Sequence, residues 1–520
     1  MKNKYLLMIG LAAGTLLASC DMDKEPYDSL PTETALQTPH NFSSARVGLY
    51  EALKASTAGT FYNAPEIQCD GFNAVTGFSN TLGDMYRWTF DSQTSTFETV
   101  YGNYQAIISR ANYIIDSYNK TDFSNKDLFP VKATKQNPGM PVVKAAKGDA
   151  FFSRAYAIFG LAQYFCANYD EATANQENSG VSYTTKYAPS DDPSTYPGRY
   201  TLAQTYQQIY DDLDSAAVYV TTAGQVNIPL ISVDAITALR ARVALAQGDY
   251  EKAGDEAELL INSRKYSLAN GAEGLAYLWW SSSTWQNGGG GKETILLFNC
   301  TSPEELPAAT GERYLPYSTG AVPDYIPTQE VVDLFSDKDY RKEVYFDKIS
   351  ISTTTGGVGT VYVLNKYEDK GILYQAFSGT ESARFAVEPR VFRIAEMYLI
   401  AAEAYAQQGD LGTAAGYLND LKKKRIQDYT DKTYSDKEIF MIALKEERQR
   451  EMLAEGSRLF DLKRWHMGIK RGTPQQRDLC LLPGKQTTDL DVPAGSNRMV
   501  WPIPTHEIDV NKKVKQNPGY

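Results

Sequence analysis

The sequence is poor in the residues that metal and nucleophile chemistry usually needs. Only three histidines, His40, His466 and His506, occur in 520 residues. No His-Glu-x-x-His, Gly-x-Ser-x-Gly or Gly-x-x-x-x-Gly-Lys-[Ser/Thr] pattern is present, so the common signatures of zinc proteases, serine hydrolases and P-loop enzymes are missing. The glycine run Gly288 to Gly291 leads into Lys292-Glu293, but Gln286 stands where a P-loop has its first glycine. That run reads as a flexible loop. Cysteine is scarce as well. Cys69, Cys166, Cys300 and Cys480 are far apart, and no Cys-x-x-Cys pair exists, which signals neither a zinc site nor a disulfide scaffold. No metal or cofactor is predicted. Positive charge is in deficit, with 52 basic against 63 acidic side chains and a net charge of −11. Such a surface argues against nucleic acid and against a polybasic membrane patch.

Long apolar runs are also lacking, apart from one at the start. Lys2 and Lys4 precede an apolar stretch, Tyr5 to Leu17, that closes with Leu17-Ala18-Ser19-Cys20. The stretch is shorter than the ~20 residues of a membrane span and has the anatomy of a signal peptide. Its ending resembles the lipobox of bacterial lipoproteins, which implies cleavage after residue 19 and lipidation of Cys20 by a diacylglycerol and a further acyl chain such as palmitate. More than one chain is needed for stable anchoring. The acidic stretch Asp21-Met22-Asp23-Lys24-Glu25 reads as the start of a solvated leash over residues 20–40. In Bacteroidetes lipoproteins such residues resemble a surface-export signal.

What is abundant is helical periodicity and tyrosine, of which there are 36. Helical spacing predicts helices over 94–118, 143–169, 202–220, 233–247, 250–263, 391–408, 411–425 and 437–455. The segment from Ala238 to Ala253 matches that from Leu399 to Ala414 at a fixed offset. In each, a glycine (Gly248, Gly409) ends one helix and an aspartate (Asp249, Asp410) can cap the next. This resembles tetratricopeptide repeats and predicts a mainly α fold, with helix pairs stacked into a right-handed superhelix. Between the pairs, residues 58–93, 171–199 and 271–386 carry Gly, Pro, Ser, Thr and aromatics with little helical period, and Thr360 to Leu364 reads as a short strand. Loops this long in a compact domain are usually functional. One domain over 41–520 is expected, with repeat pairs near 94–263 and 391–465 and ligand loops near 58–93 and 271–386.

Arg393-Ile-Ala-Glu-Met-Tyr-Leu-Ile-Ala-Ala-Glu-Ala-Tyr-Ala406, then the charged motif from Glu447 to Trp465, and the endings Trp501-Pro-Ile-Pro504 and Gln516-Asn-Pro-Gly-Tyr520 together resemble the SusD/RagB family of outer-membrane lipoproteins. So does Tyr104-Gln-Ala-Ile-Ile-Ser-Arg-Ala-Asn112. The mixed charges between Glu446 and Glu451 suggest a structural network with neighbouring helices. The resemblance implies a surface-exposed, non-enzymatic protein of the outer membrane that captures a glycan or other nutrient and delivers it to a SusC-like TonB-dependent transporter.

Sugar recognition combines flat aromatic faces with a few planar polar groups. Asp70, Asn73 and Phe78 in the first loop region, and Trp279, Trp285, Tyr314 and Tyr317 in the second, offer that mixture. Each has a structural alternative. Asp70 and Asn73 suit turns, the adjacent Trp279 and Trp280 cannot both face a ligand if extended, and Trp88 fits a packing role. The rival functions are a surface glycoside hydrolase, which needs only a pair of carboxylates, a SusD-like protein that binds peptides, and a structural repeat adaptor.

Overall fold

The computed structural model describes residues 36–280, 291–318, 320–481 and 490–520. Cys20, the leash up to residue 35 and Trp285 lie outside the described residues.

Nine long helices carry the scaffold among the described residues: α1 Pro39–Ala55, α2 Ser95–Lys120, α3 Gly139–Phe165, α4 Leu202–Tyr219, α5 Val233–Gln247, α6 Tyr250–Asn262, α7 Ile394–Gln408, α8 Leu411–Arg425 and α9 Lys437–Glu451. Most pack on a sequence neighbour, α2 on α3, α3 on α4, α5 on α6 and α7 on α8, and α6 packs on α7, while α1 lies chiefly on α3 and α9 chiefly on α7. The two matched repeats are therefore adjacent in space although a long insertion separates them in sequence. Their boundaries follow from local chemistry. Gly248 and Gly409 adopt φ of 82° and 91°, a left-handed conformation that costs glycine little, while Asp249 and Asp410 accept hydrogen bonds from the backbone N–H of Lys252 and Thr413. Ala253 and Ala414 are buried. A β-carbon on Gly254 would stand 3.5 Å from that of Ala404, so α6 and α7 approach closely through small residues.

The insertion begins and ends at a neck. Strand β2 (Thr294–Leu297) pairs antiparallel with β6 (Arg390–Arg393), joining Thr294 to Arg393 and Leu297 to Arg390. Beyond the neck, β4 (Phe346–Ser352) and β5 (Val358–Leu364) form a hairpin, which contains the strand expected at 360–364. Helices also occur where the sequence reading expected none, among them Thr60–Ile67 in the first loop region and Gln329–Asp333 and Tyr340–Tyr345 in the second. Residues 39–55 form α1, capped by the Thr38 side chain with Pro39 in its first turn, and Gly271–Trp280 is helical where irregular chain was expected. The C-terminus closes the array. Trp501 is fully buried, its ring centroid 4.4 Å from that of Tyr164 and its indole N–H donating to Gln68 Oε1 at 2.7 Å.

Candidate functional site

The fold brings the two expected loop regions together. Strand β1 (Phe72–Ala74) pairs antiparallel with β3 (Tyr325–Pro327), placing Asn73 opposite Ile326. Behind β1, the buried Arg471 guanidinium donates to the carbonyls of Ile67 (2.8 Å), Phe72 (3.1 Å) and Tyr86 (2.8 Å), pinning three points of the first loop. In front, Asp324 accepts hydrogen bonds from Ser79 N (2.6 Å), from Ser79 Oγ (2.8 Å) and from Arg313. Tyr325 donates its hydroxyl to Thr81 O at 2.7 Å. Phe78 is half-buried, packed edge-on against Tyr325 with ring centroids 5.6 Å apart, and the Arg87 guanidinium lies 6.0 Å from its ring. Four residues after Arg313, Tyr317 is 58% exposed. Arg384 holds that segment by donating to Tyr317 O, and is itself paired with both Asp369 oxygens at 2.8 and 2.7 Å. Tyr317 thus leaves an aromatic ring open to solvent, in a segment that runs from the buried Arg313–Asp324 pair and is anchored at its backbone by the Arg384–Asp369 pair.

The expected site residues separate by burial. Phe78 is half-buried and Tyr317 exposed. Asp70 does not offer itself to solvent freely, because Arg458 holds both of its oxygens at 2.9 and 2.6 Å. Burial alone would raise its carboxyl, but Arg458 outweighs that and keeps it below the usual range. Asn73, Trp279 and Tyr314 are corrected from ligand candidates to packing residues in this conformation. Asn73 is at the centre of β1, fully buried, and donates to Gly472 O at 3.2 Å. Tyr314 is fully buried against Phe72, with centroids 4.8 Å apart. Trp279 is 2% exposed and sits beneath three cations, Lys366, Arg393 and Arg390, at 4.1, 5.1 and 5.6 Å from its ring. Its neighbour Trp280 is turned aside by the helix and donates to Asn365 O. Trp88 is core, donating to Gln68 O at 2.8 Å. Trp285 lies outside the described residues. Sequence reasoning missed Ser79, Arg313, Asp324, Asp369 and Arg384, whose only signal was their place inside the two loop regions.

The charged motif of α9 is a buried junction. Glu451 bridges Arg341 (3.0 Å), Arg393 (2.9 Å) and Arg425 (2.9 Å), and Glu447 pairs with Arg341 (2.7 Å) and Arg450 (2.8 Å). Glu293 in the neck joins Arg393 and Arg425. Burial opposes ionisation of Glu447, yet Arg341, Arg450 and Lys422 bring its carboxyl down to about 2. These groups tie the neck to the array through ion pairs with one another.

Two family models fit the chain in succession. One described as "Starch-binding associating with outer membrane" covers residues 22–245, and one described as "SusD family" covers residues 350–520. A SusD-like protein from Formosa agariphila is 23% identical over 504 residues, spanning 90% of this chain and 91% of its own length. The starch-binding protein SusD of Bacteroides thetaiotaomicron is 29% identical over 181 residues, 35% of this chain and 29% of that protein. Among solved structures, a SusD superfamily protein from Bacteroides thetaiotaomicron matches with a TM-score of 0.73 at 23% identity, covering 92% of this chain and 100% of that one. The amino-terminal repeats, the carboxy-terminal charged motif and the helical array are each matched in order, and the chain belongs to the SusD/RagB family.

Proposed function

We propose that this chain is a non-enzymatic carbohydrate-binding lipoprotein of the outer membrane, which captures an oligosaccharide at the cell surface and passes it to a SusC-like TonB-dependent transporter. Acylated Cys20 holds it at the membrane, and the chain between it and α1, which begins at Pro39, serves as the leash. The reading rests on the exposed Tyr317 ring, whose backbone is held by Arg384 of the part-exposed Arg384–Asp369 pair. A pyranose offers an apolar C–H surface for the ring and hydroxyls for the paired side chains. The relative named as a starch-binding protein supports the same ligand class.

Affinity electrophoresis against starch and a panel of other polysaccharides tests the proposal. Retardation by at least one glycan is expected, and Tyr317→Ala should abolish it. No retardation by any glycan, together with binding of peptides, would replace the ligand class. Release of reducing ends by the purified protein would replace binding by hydrolysis. The partner is tested separately, by co-purification of a TonB-dependent barrel from outer membranes.

A further inference from the structure

Away from the loop face, a cavity of about 120 Å³ lies between α2, α3, α5, β6 and the segment following α9. Tyr62, Tyr104, Tyr156 and Phe460 form an aromatic wall. The facing wall carries five guanidiniums, from Arg242, Arg390, Arg393, Arg448 and Arg464, against three carboxylates, from Glu396, Glu455 and Asp461. Most of these cations are committed. Arg242 forks onto Glu396 at 2.9 and 2.5 Å. Arg393 is held by Glu293, Glu451 and Glu455.

Arg448 differs. It shares the single carboxylate of Asp461 with Arg464, donating from Nε to Oδ2 at 2.7 Å while Arg464 donates from Nε to Oδ1 at 3.0 Å. Arg464 has a second carboxylate in Glu403. Among the described residues Arg448 has no other carboxylate within ion-pair distance and its Nη1 has no hydrogen-bond partner, while its side chain is 5% exposed. A buried charged donor without an acceptor is costly, and native interiors rarely keep one. The orphan donor asks for an anionic acceptor, and a carboxylate supplies one to a guanidinium N–H through a charge-assisted hydrogen bond.

We propose that this cavity is a second binding site, distinct from the glycan face, for a compact carboxylate of about the size of lactate. Arg448 Nη1 receives the carboxylate, and the tyrosine wall covers the ligand's C–H surface. The volume limits the ligand to a compact one, since 120 Å³ lies well below the ~300–1,000 Å³ of pockets for drug-sized ligands. Access runs past Tyr156, Gln163 and Ala246, all half-buried at the cavity's edge.

The test titrates sodium lactate into the full chain by calorimetry and by saturation-transfer NMR, with lactamide as the neutral analogue and sodium chloride at matched ionic strength. Saturable binding of lactate but not of lactamide or chloride is expected. Ala246→Phe, which fills the cavity without removing a charge, should abolish it, and Arg448→Met should weaken it at least tenfold. If Arg448→Met does not fold, the lactamide and Ala246→Phe results decide alone. Absence of saturable lactate binding, equal binding of lactamide, or undiminished binding by Ala246→Phe would overturn the proposal.

Discussion

Trp279 precedes the β2–β6 neck and Tyr317 lies in the insertion beyond it; basic side chains fasten both, yet the two do opposite work. Trp279 is sealed under Lys366 and Arg393 at the neck, where its face balances cations that have left water. Such a contact gains most when desolvated. Tyr317 is held only by its backbone carbonyl, through Arg384, and its ring remains in solvent. An aromatic beside an arginine therefore does not mark a ligand site. What distinguishes the two is whether the arginine grips the ring or the chain that carries it.

That contrast can be broken most severely at the neck. Glu451→Ala leaves Arg341, Arg393 and Arg425 short of a shared buried partner, and a loss of about 3–5 kcal/mol is expected from urea unfolding. Trp279→Ala removes the ring beneath the cations and should cost about 3–5 kcal/mol, while glycan affinity of the folded fraction stays unchanged. At the seam between repeats, Gly254→Val overpacks against Ala404, for a loss of about 1–3 kcal/mol in the same assay. Tyr317→Ala should show the reverse pattern. Its unfolding midpoint should match the wild type, with glycan affinity at least about tenfold weaker, or ~1.4 kcal/mol.

The smallest effect concerns pH. Glu447 titrates near 2 in the fold against an ordinary 4.5, so its contribution is complete above the unfolded value and drains away as pH falls from about 4.5 towards about 2. Urea midpoints measured down to about pH 3 should fall less steeply for Glu447→Gln than for the wild type.

Most of the array was legible from the sequence, because helix spacing, glycine stops and aspartate caps are local signals. The expected helices at 233–247 and 411–425 occur with those limits. Helix α1 escaped because its buried apolar positions, Phe42, Leu49 and Leu53, are sparse and interrupted by serines. The site was legible only by region. Residues 58–93 and 271–386 do meet, but which aromatics face solvent depended on partners such as Arg471 and Lys366, hundreds of residues or a whole insertion away. The α9 charges announced a network, whereas its members Glu293 and Arg341 carried no local sign of belonging to it.

The β2–β6 neck has a consequence for how such chains diversify. Because the strands are zipped between Thr294 and Arg393 and locked by Glu293, the chain from 298 to 389 leaves and re-enters the array at one fastened point. Loop length then enters stability only logarithmically. The neck acts as a socket: what is plugged in beyond it can lengthen or shorten while the register of α6 against α7 stays put, provided the β1–β3 seam is exchanged along with it and the cations that reach back to α9 and Glu455, Arg341 and Lys366, are kept.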